Sequence, residues 1–130
     1  MIEAGVKGKQ ELVVEYKDTA AVHGSGALEV FGTPALVALM EKTAQMSVKE
    51  LLPETEGTVG TMVMVKHLGA SGIGSTIRCE SELVKVDGKK LLFKLQAFDE
   101  AGLIGEGEHE RFIINNEKFL KKVSEKLNNK

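Results

Sequence analysis

Thr33-Pro34-Ala35-Leu36-Val37-Ala38-Leu39-Met40-Glu41 is the stretch on which the reading of the fold turns. Thr33 suits a helix N-cap, and Pro34 suits the first helical position because proline has no N–H to leave unpaired there. The helix is predicted to run to about Leu52 and to stop before Pro53, since the residue ahead of a proline is pushed out of helical geometry. Its first two turns are apolar on every side, the pattern of a helix surrounded by protein. Glu41 is the first charge in this run, and a carboxylate there is costly to ionise unless something pairs with it. Val37, Ala38, Ala44 and Gln45 occupy its helical neighbour positions, and Lys42 points elsewhere, so its partner must come from another part of the fold. His67 is the candidate partner.

Outward from this helix the chain reads as strands. Residues 10–16 suit a first strand, followed by a loop containing Gly24, Gly26 and Gly32. Residues 58–67 are rich in Val, Thr and Met, and residues 75–86 alternate before Asp87-Gly88, a strong hairpin signal. Residues 89–99 pair back, with Leu91, Phe93, Leu95 and Ala97 on one face, and the turn at Glu100-Ala101-Gly102 leads into 103–114. A short polar helix covers about 116–128. Strand, long helix, then four strands with hairpins make an α+β domain. The layout resembles the hot-dog fold, a curved antiparallel sheet wrapped around one long central helix, here with a short C-terminal helix. A helix lying on an open sheet would carry a polar stripe in its first two turns, and this one has none.

The 130 residues allow a single domain spanning 1–130, with one core. A net charge of -2 leaves no electrostatic footprint for nucleic acid. Lys118, Lys121, Lys122 and Lys126 interleave with Glu117 and Glu125 and read as a solvated helix face. One cysteine, Cys79, excludes an intramolecular disulfide and a cysteine-based zinc site; as a lone strand residue it reads as small and buried. No signal peptide or membrane span is evident, so a cytoplasmic protein is expected. No metal and no cofactor are expected.

Three residues carry the chemistry. Thr33 either caps the helix and nothing more, or presents its hydroxyl where free N–H groups and the helix dipole would stabilise an oxyanion. Glu41 either reaches a buried N–H or a neighbouring subunit, or acts as a general base or carboxylate nucleophile. His67, at the end of Gly60-Thr61-Met62-Val63-Met64-Val65-Lys66-His67, is either structural or an acid/base beside Glu41. The later strand Gly105-Glu106-Gly107-Glu108-His109-Glu110-Arg111 puts Gly105, Gly107, His109 and Arg111 on one face and three glutamates on the other. That face is either solvated or an interface, or it brings His109 or Arg111 near an anionic ligand. The Gly-x-Gly pairs do not form a phosphate loop, and His23 sits in the glycine-rich loop.

Glu29 to Glu41, with Val59-Gly60-Thr61, Val65-Lys66-His67, Gly105 to Phe112 and Asn116-Glu117-Lys118-Phe119, resembles the fluoroacetyl-CoA thioesterase-like branch of hot-dog proteins over nearly the whole chain. The resemblance implies a catalytic set of Thr33, Glu41 and His67, a Gly60 backbone that approaches the thioester, and Arg111 near the substrate. It also implies a homodimer, or a tetramer, with the site built across subunits. The phenylalanine-bearing lid of the fluoroacetyl-specific enzyme has no counterpart in His23-Gly24-Ser25-Gly26-Ala27-Leu28. Hydrolysis of an acyl-CoA thioester is therefore expected without fluoroacetyl selectivity, CoA entering as part of the substrate. A non-catalytic acyl-CoA or small-ligand binding module is the alternative. A hydratase of the same fold ranks last, because Thr33-Pro34 stands where an Asp–His style pair would be needed.

Overall fold

The computed structural model describes residues 2–128. The strands are β1 (Lys7–Val13), β2 (Glu56–His67), β3 (Thr76–Asp87), β4 (Lys90–Asp99) and β5 (Gly102–Asn115). They form one antiparallel sheet in the order β1-β3-β4-β5-β2. Among the described residues three α-helices, α1 (Ala20–His23), α2 (Thr33–Lys49) and α3 (Asn116–Asn128), and a 3-10 turn at Tyr16–Asp18 accompany the sheet. This is the expected hot-dog architecture, with α2 as the central helix.

Alternation builds the core. Ile77, Cys79 and Leu83 of β3 and Leu91, Phe93, Leu95 and Ala97 of β4 point inward and are buried. They meet Ala35, Leu36, Leu39, Met40, Ala44 and Val48 on the inner stripe of α2. Gly105 lets the helix settle against β5: a Cβ there would lie 2.9 Å from Leu36 Cδ2. Burial pushes the Cys79 thiol up to about 11, consistent with a packed, unreactive side chain.

Some boundaries differ from the sequence reading. β1 ends at Val13 instead of residue 16, because Tyr16–Asp18 forms a 3-10 turn closed by reciprocal Glu15 and Asp18 capping bonds. His23 ends the short helix α1, which was expected to be loop; Thr19 caps its start and Gly24, at φ 70°, ends it. The central helix stops at Lys49, a turn before Pro53.

Nor is α2 enclosed. Thr33, Pro34 and Ala38 are exposed, and Val37 and Glu41 are half-buried. The sheet covers one side of the helix only, and the other side lies open beside β2. That strand is a sheet edge whose Val63 and Met64 remain 36% and 48% exposed. α3 is the polar helix expected there, and Phe119, Leu120, Val123 and Leu127 form an exposed apolar stripe along it.

Candidate active site

Thr33 stands at the first position of α2, not at its cap. Gly32 is the N-cap residue, with extended backbone, and no side chain caps the helix. The Thr33 hydroxyl is thereby left free to cross to the end of β2, where its Oγ1 lies 2.8 Å from His67 Nδ1. With the imidazole proton on Nε2, the hydroxyl donates to Nδ1. That nucleophile-to-base geometry makes an alcohol reactive. Phe31 meets the His67 ring edge-on, with centroids 6.1 Å apart. Burial pushes the imidazole below its ordinary value, opposed by the nearby Gly69 backbone. His67 is therefore neutral at neutral pH and able to accept a proton.

Glu41 lies two turns further along α2, about 12 Å from Thr33 at the helical rise. Within one chain its partner does come from another element, and there it is Arg111 and not His67. Glu41 Oε2 lies 3.9 Å from Arg111 Nη1, over the backbone of Gly60. A Cβ on Gly60 would sit 2.9 Å from that oxygen, so only glycine leaves the carboxylate its place. Within one chain α2 and β2 hold the two parts of the site at separate places: Thr33 with His67, and Glu41 with Gly60 and Arg111.

The strand of alternating glutamates turns its other face inward. His109 is fully buried and Arg111 is 7% exposed, so neither side chain is solvated. Arg111 donates from Nε to Thr58 Oγ1 at 2.7 Å and from Nη2 to the Thr58 carbonyl at 2.8 Å. Its Nη1 lies 3.0 Å from His109 Nε2, and His109 Nδ1 lies 2.8 Å from the Met62 carbonyl. The guanidinium is thus engaged by protein groups and directs its remaining field at Glu41. Burial first, and then the Arg111 charge, hold the His109 pKa down, against the Met62 carbonyl and the Glu41 carboxylate.

Thr58 and Met62 escaped the sequence reading. Thr58 shares the period-two face of Gly60, a weak signal. Met62 reaches His109 because the register of β2 slips between Gly60 and Met62, a bulge that strand periodicity does not mark.

Five antiparallel strands around one helix, with a threonine and a carboxylate on the helix and a histidine on the edge strand, define a hot-dog domain of the thioesterase kind. Residues 14–117 match the model of the fluoroacetyl-CoA-specific thioesterase family. The chain belongs to that family. It is 39% identical over 98 residues to the fluoroacetyl-CoA thioesterase of Streptantibioticus cattleyicolor, covering 75% of this chain and 70% of that one. A fluoroacetyl-CoA thioesterase FlK variant solved in complex with acetyl-CoA superposes with a TM-score of 0.90 at 31% identity, covering 96% of this chain and 98% of that one. A Thermus thermophilus hypothetical protein, described as a thioesterase superfamily member, superposes at 0.88 with 25% identity over 100% and 98% of the two chains. No helix among the described residues is long and apolar enough to cross a membrane.

Proposed function

We propose that this protein hydrolyses an acyl-CoA thioester to the free acid and CoA, with Thr33, Glu41 and His67 as the catalytic set. The observation that carries the reading is the 2.8 Å contact between the Thr33 hydroxyl and His67 at the N-terminus of α2. The thioester carbonyl binds at that terminus, where the N–H groups of the first turn and the helix dipole stabilise the developing oxyanion. Glu41 draws a proton from the attacking water. The new O–C bond forms, the C–S bond breaks, and the sulfur leaves as the CoA thiol on the proton that Glu41 took from water, handed on through the Thr33–His67 pair, so that both bases return to their starting state. Side chains run the reaction, and CoA enters as part of the substrate with no added cofactor or metal. Gly60 brings its backbone to the thioester, and Arg111 acts on the substrate through Glu41.

Within one chain Glu41 lies about two helical turns from the Thr33–His67 pair, so the same reading makes the active species a homodimer. β2 is an edge strand with Val63 and Met64 exposed, and an unpaired edge is a template for another strand. Antiparallel pairing of two β2 edges about Val63–Met64 sets His67 of one copy opposite Gly60 of the other, and hence beside its Glu41. The open side of α2 is covered in the same step. A cytoplasmic setting fits the single, buried cysteine.

The test is thiol release from a panel of short, branched, aromatic and long acyl-CoAs, with Glu41→Gln and His67→Ala alongside. Each substitution is expected to lower turnover by about 10²–10⁴-fold. Refolding the two variants together should restore activity, because one site of each mixed dimer is intact. Undiminished turnover by Glu41→Gln overturns the assignment. Acyl-CoA binding without turnover in the unaltered protein moves the reading to a binding module.

A further inference from the structure

β5 grips β2 on both sides of Gly60. On one side Arg111 holds the hydroxyl and the carbonyl of Thr58. On the other, His109 holds the carbonyl of Met62. Between them the register slips, so that Gly60 faces Arg111 and Met62 faces Glu110, with Thr61 as the extra residue. His109 and Arg111 are joined in turn by the 3.0 Å contact between Nε2 and Nη1. We propose that His109 is a positioning residue for Glu41: it locks the Arg111 guanidinium and the β2 bulge in the one arrangement that seats the carboxylate over Gly60. The proposal rests on the reading of Glu41 as the working base.

The hydrogen-bond pattern admits one protonation state. The Met62 carbonyl only accepts, so His109 Nδ1 donates. Arg111 Nη1 only donates, so Nε2 accepts. The imidazole is therefore neutral, with its proton on Nδ1. A second proton would set two donors against each other and put two buried cations side by side. Arg111 and Glu41 are the charged groups that face the ring, and the neutral imidazole leaves the Arg111 charge undivided for Glu41. Packing sets the ring plane as well: Phe93 lies with its centroid 6.4 Å from that of His109, at an interplanar angle of 32°. The space is closed on the Gly60 side, where a Cβ would come within 3.0 Å of His109 Cε1 and 3.5 Å of Arg111 Nη1. An alternative pose of Arg111 would open the Thr58 bonds together with the His109 bond.

The experiment compares His109→Phe, which keeps the bulk and loses both bonds, with His109→Gln, which retains a donor and an acceptor. Thiol release from acyl-CoA is measured with kcat and KM separated, and the imidazole ¹⁵N spectrum of the unaltered protein is recorded. The phenylalanine variant is expected to lose about tenfold to a hundredfold in kcat, as an Å-scale misplacement of a reacting group does. KM is expected to change by less than kcat, since the displaced carboxylate acts in the chemical step. Glutamine is expected to recover much of the loss. The spectrum is expected to show a neutral ring protonated on Nδ1. If the phenylalanine variant does not fold, the glutamine variant and the spectrum carry the test. Unchanged kcat in His109→Phe, a protonated ring at neutral pH, or parallel loss of stability and kcat without rescue by glutamine overturns the proposal. Glu41→Gln with full turnover removes the reading of Glu41 itself; an inactive Glu41→Gln beside a fully active His109→Phe removes only the role of His109.

Discussion

Two pairs of residues along the same helix and strand are held in opposite ways. Thr33 and His67 meet at the surface through one hydrogen bond, with the threonine side chain exposed. Glu41 lies against a buried network in which Arg111 alone makes bonds to Thr58 and His109. The Thr33 hydroxyl can change its hydrogen-bonding during a reaction at little energetic penalty, because it is exposed and water or substrate can replace what is lost. The buried network cannot, since every donor taken from the interior leaves an acceptor stranded there. A proton-transfer pair belongs at the first kind of place, and the fixed charge that orients a carboxylate belongs at the second.

Replacing Arg111 with Met should separate the two most sharply. His109 Nε2 and the Thr58 carbonyl would lose their donor, and Glu41 its cation, so a loss of about 3 kcal/mol is expected in urea unfolding. A midpoint like that of the unaltered protein would mean that the network carries no stability and that the contrast with the surface pair is false.

Acid should act on both places in the same direction. Burial lowers the pKa of His67 and of His109 from 6.5. A group whose folded pKa is depressed takes up its proton more readily once unfolded. The stability it contributes is therefore full above about 6.5, and it is lost as pH falls through the folded values. The urea midpoint is expected to drop between about pH 7.5 and pH 5, and less so in His109→Gln. The acid limb of kcat/KM, which reports His67, is expected below the ordinary imidazole value. A midpoint that rises on acidification would reverse the sign and break the argument.

The smallest expected effect is at Thr33. Were it the helix cap, Thr33→Ala would remove about 1 kcal/mol. Because Gly32 caps the helix and the hydroxyl serves His67, stability is expected to stay within about 0.5 kcal/mol while turnover falls. A stability loss with activity intact would return Thr33 to a structural role.

The amino-acid sequence by itself determined the order of elements and the extent of most of them, because strand and helix periodicity are local properties that neighbouring residues write directly. The apolar run from Ala35 to Met40, the alternation in 75–86 and 89–99 and the turn at Asp87-Gly88 each reappear as α2, β3, β4 and their hairpin. It also singled out Thr33, Glu41, His67 and Arg111, since charges and hydroxyls within apolar stretches stand out wherever they fold. Only the tertiary structure decided who meets whom. Within one chain Glu41 faces Arg111 and not His67, because about 12 Å of helix lies between Thr33 and Glu41. Thr33 bonds to His67 because Gly32 takes over the cap. His109 reaches Met62 because one residue is inserted into β2. Such pairings depend on register and on the distance between elements far apart in the chain, and no stretch of residues contains that information on its own.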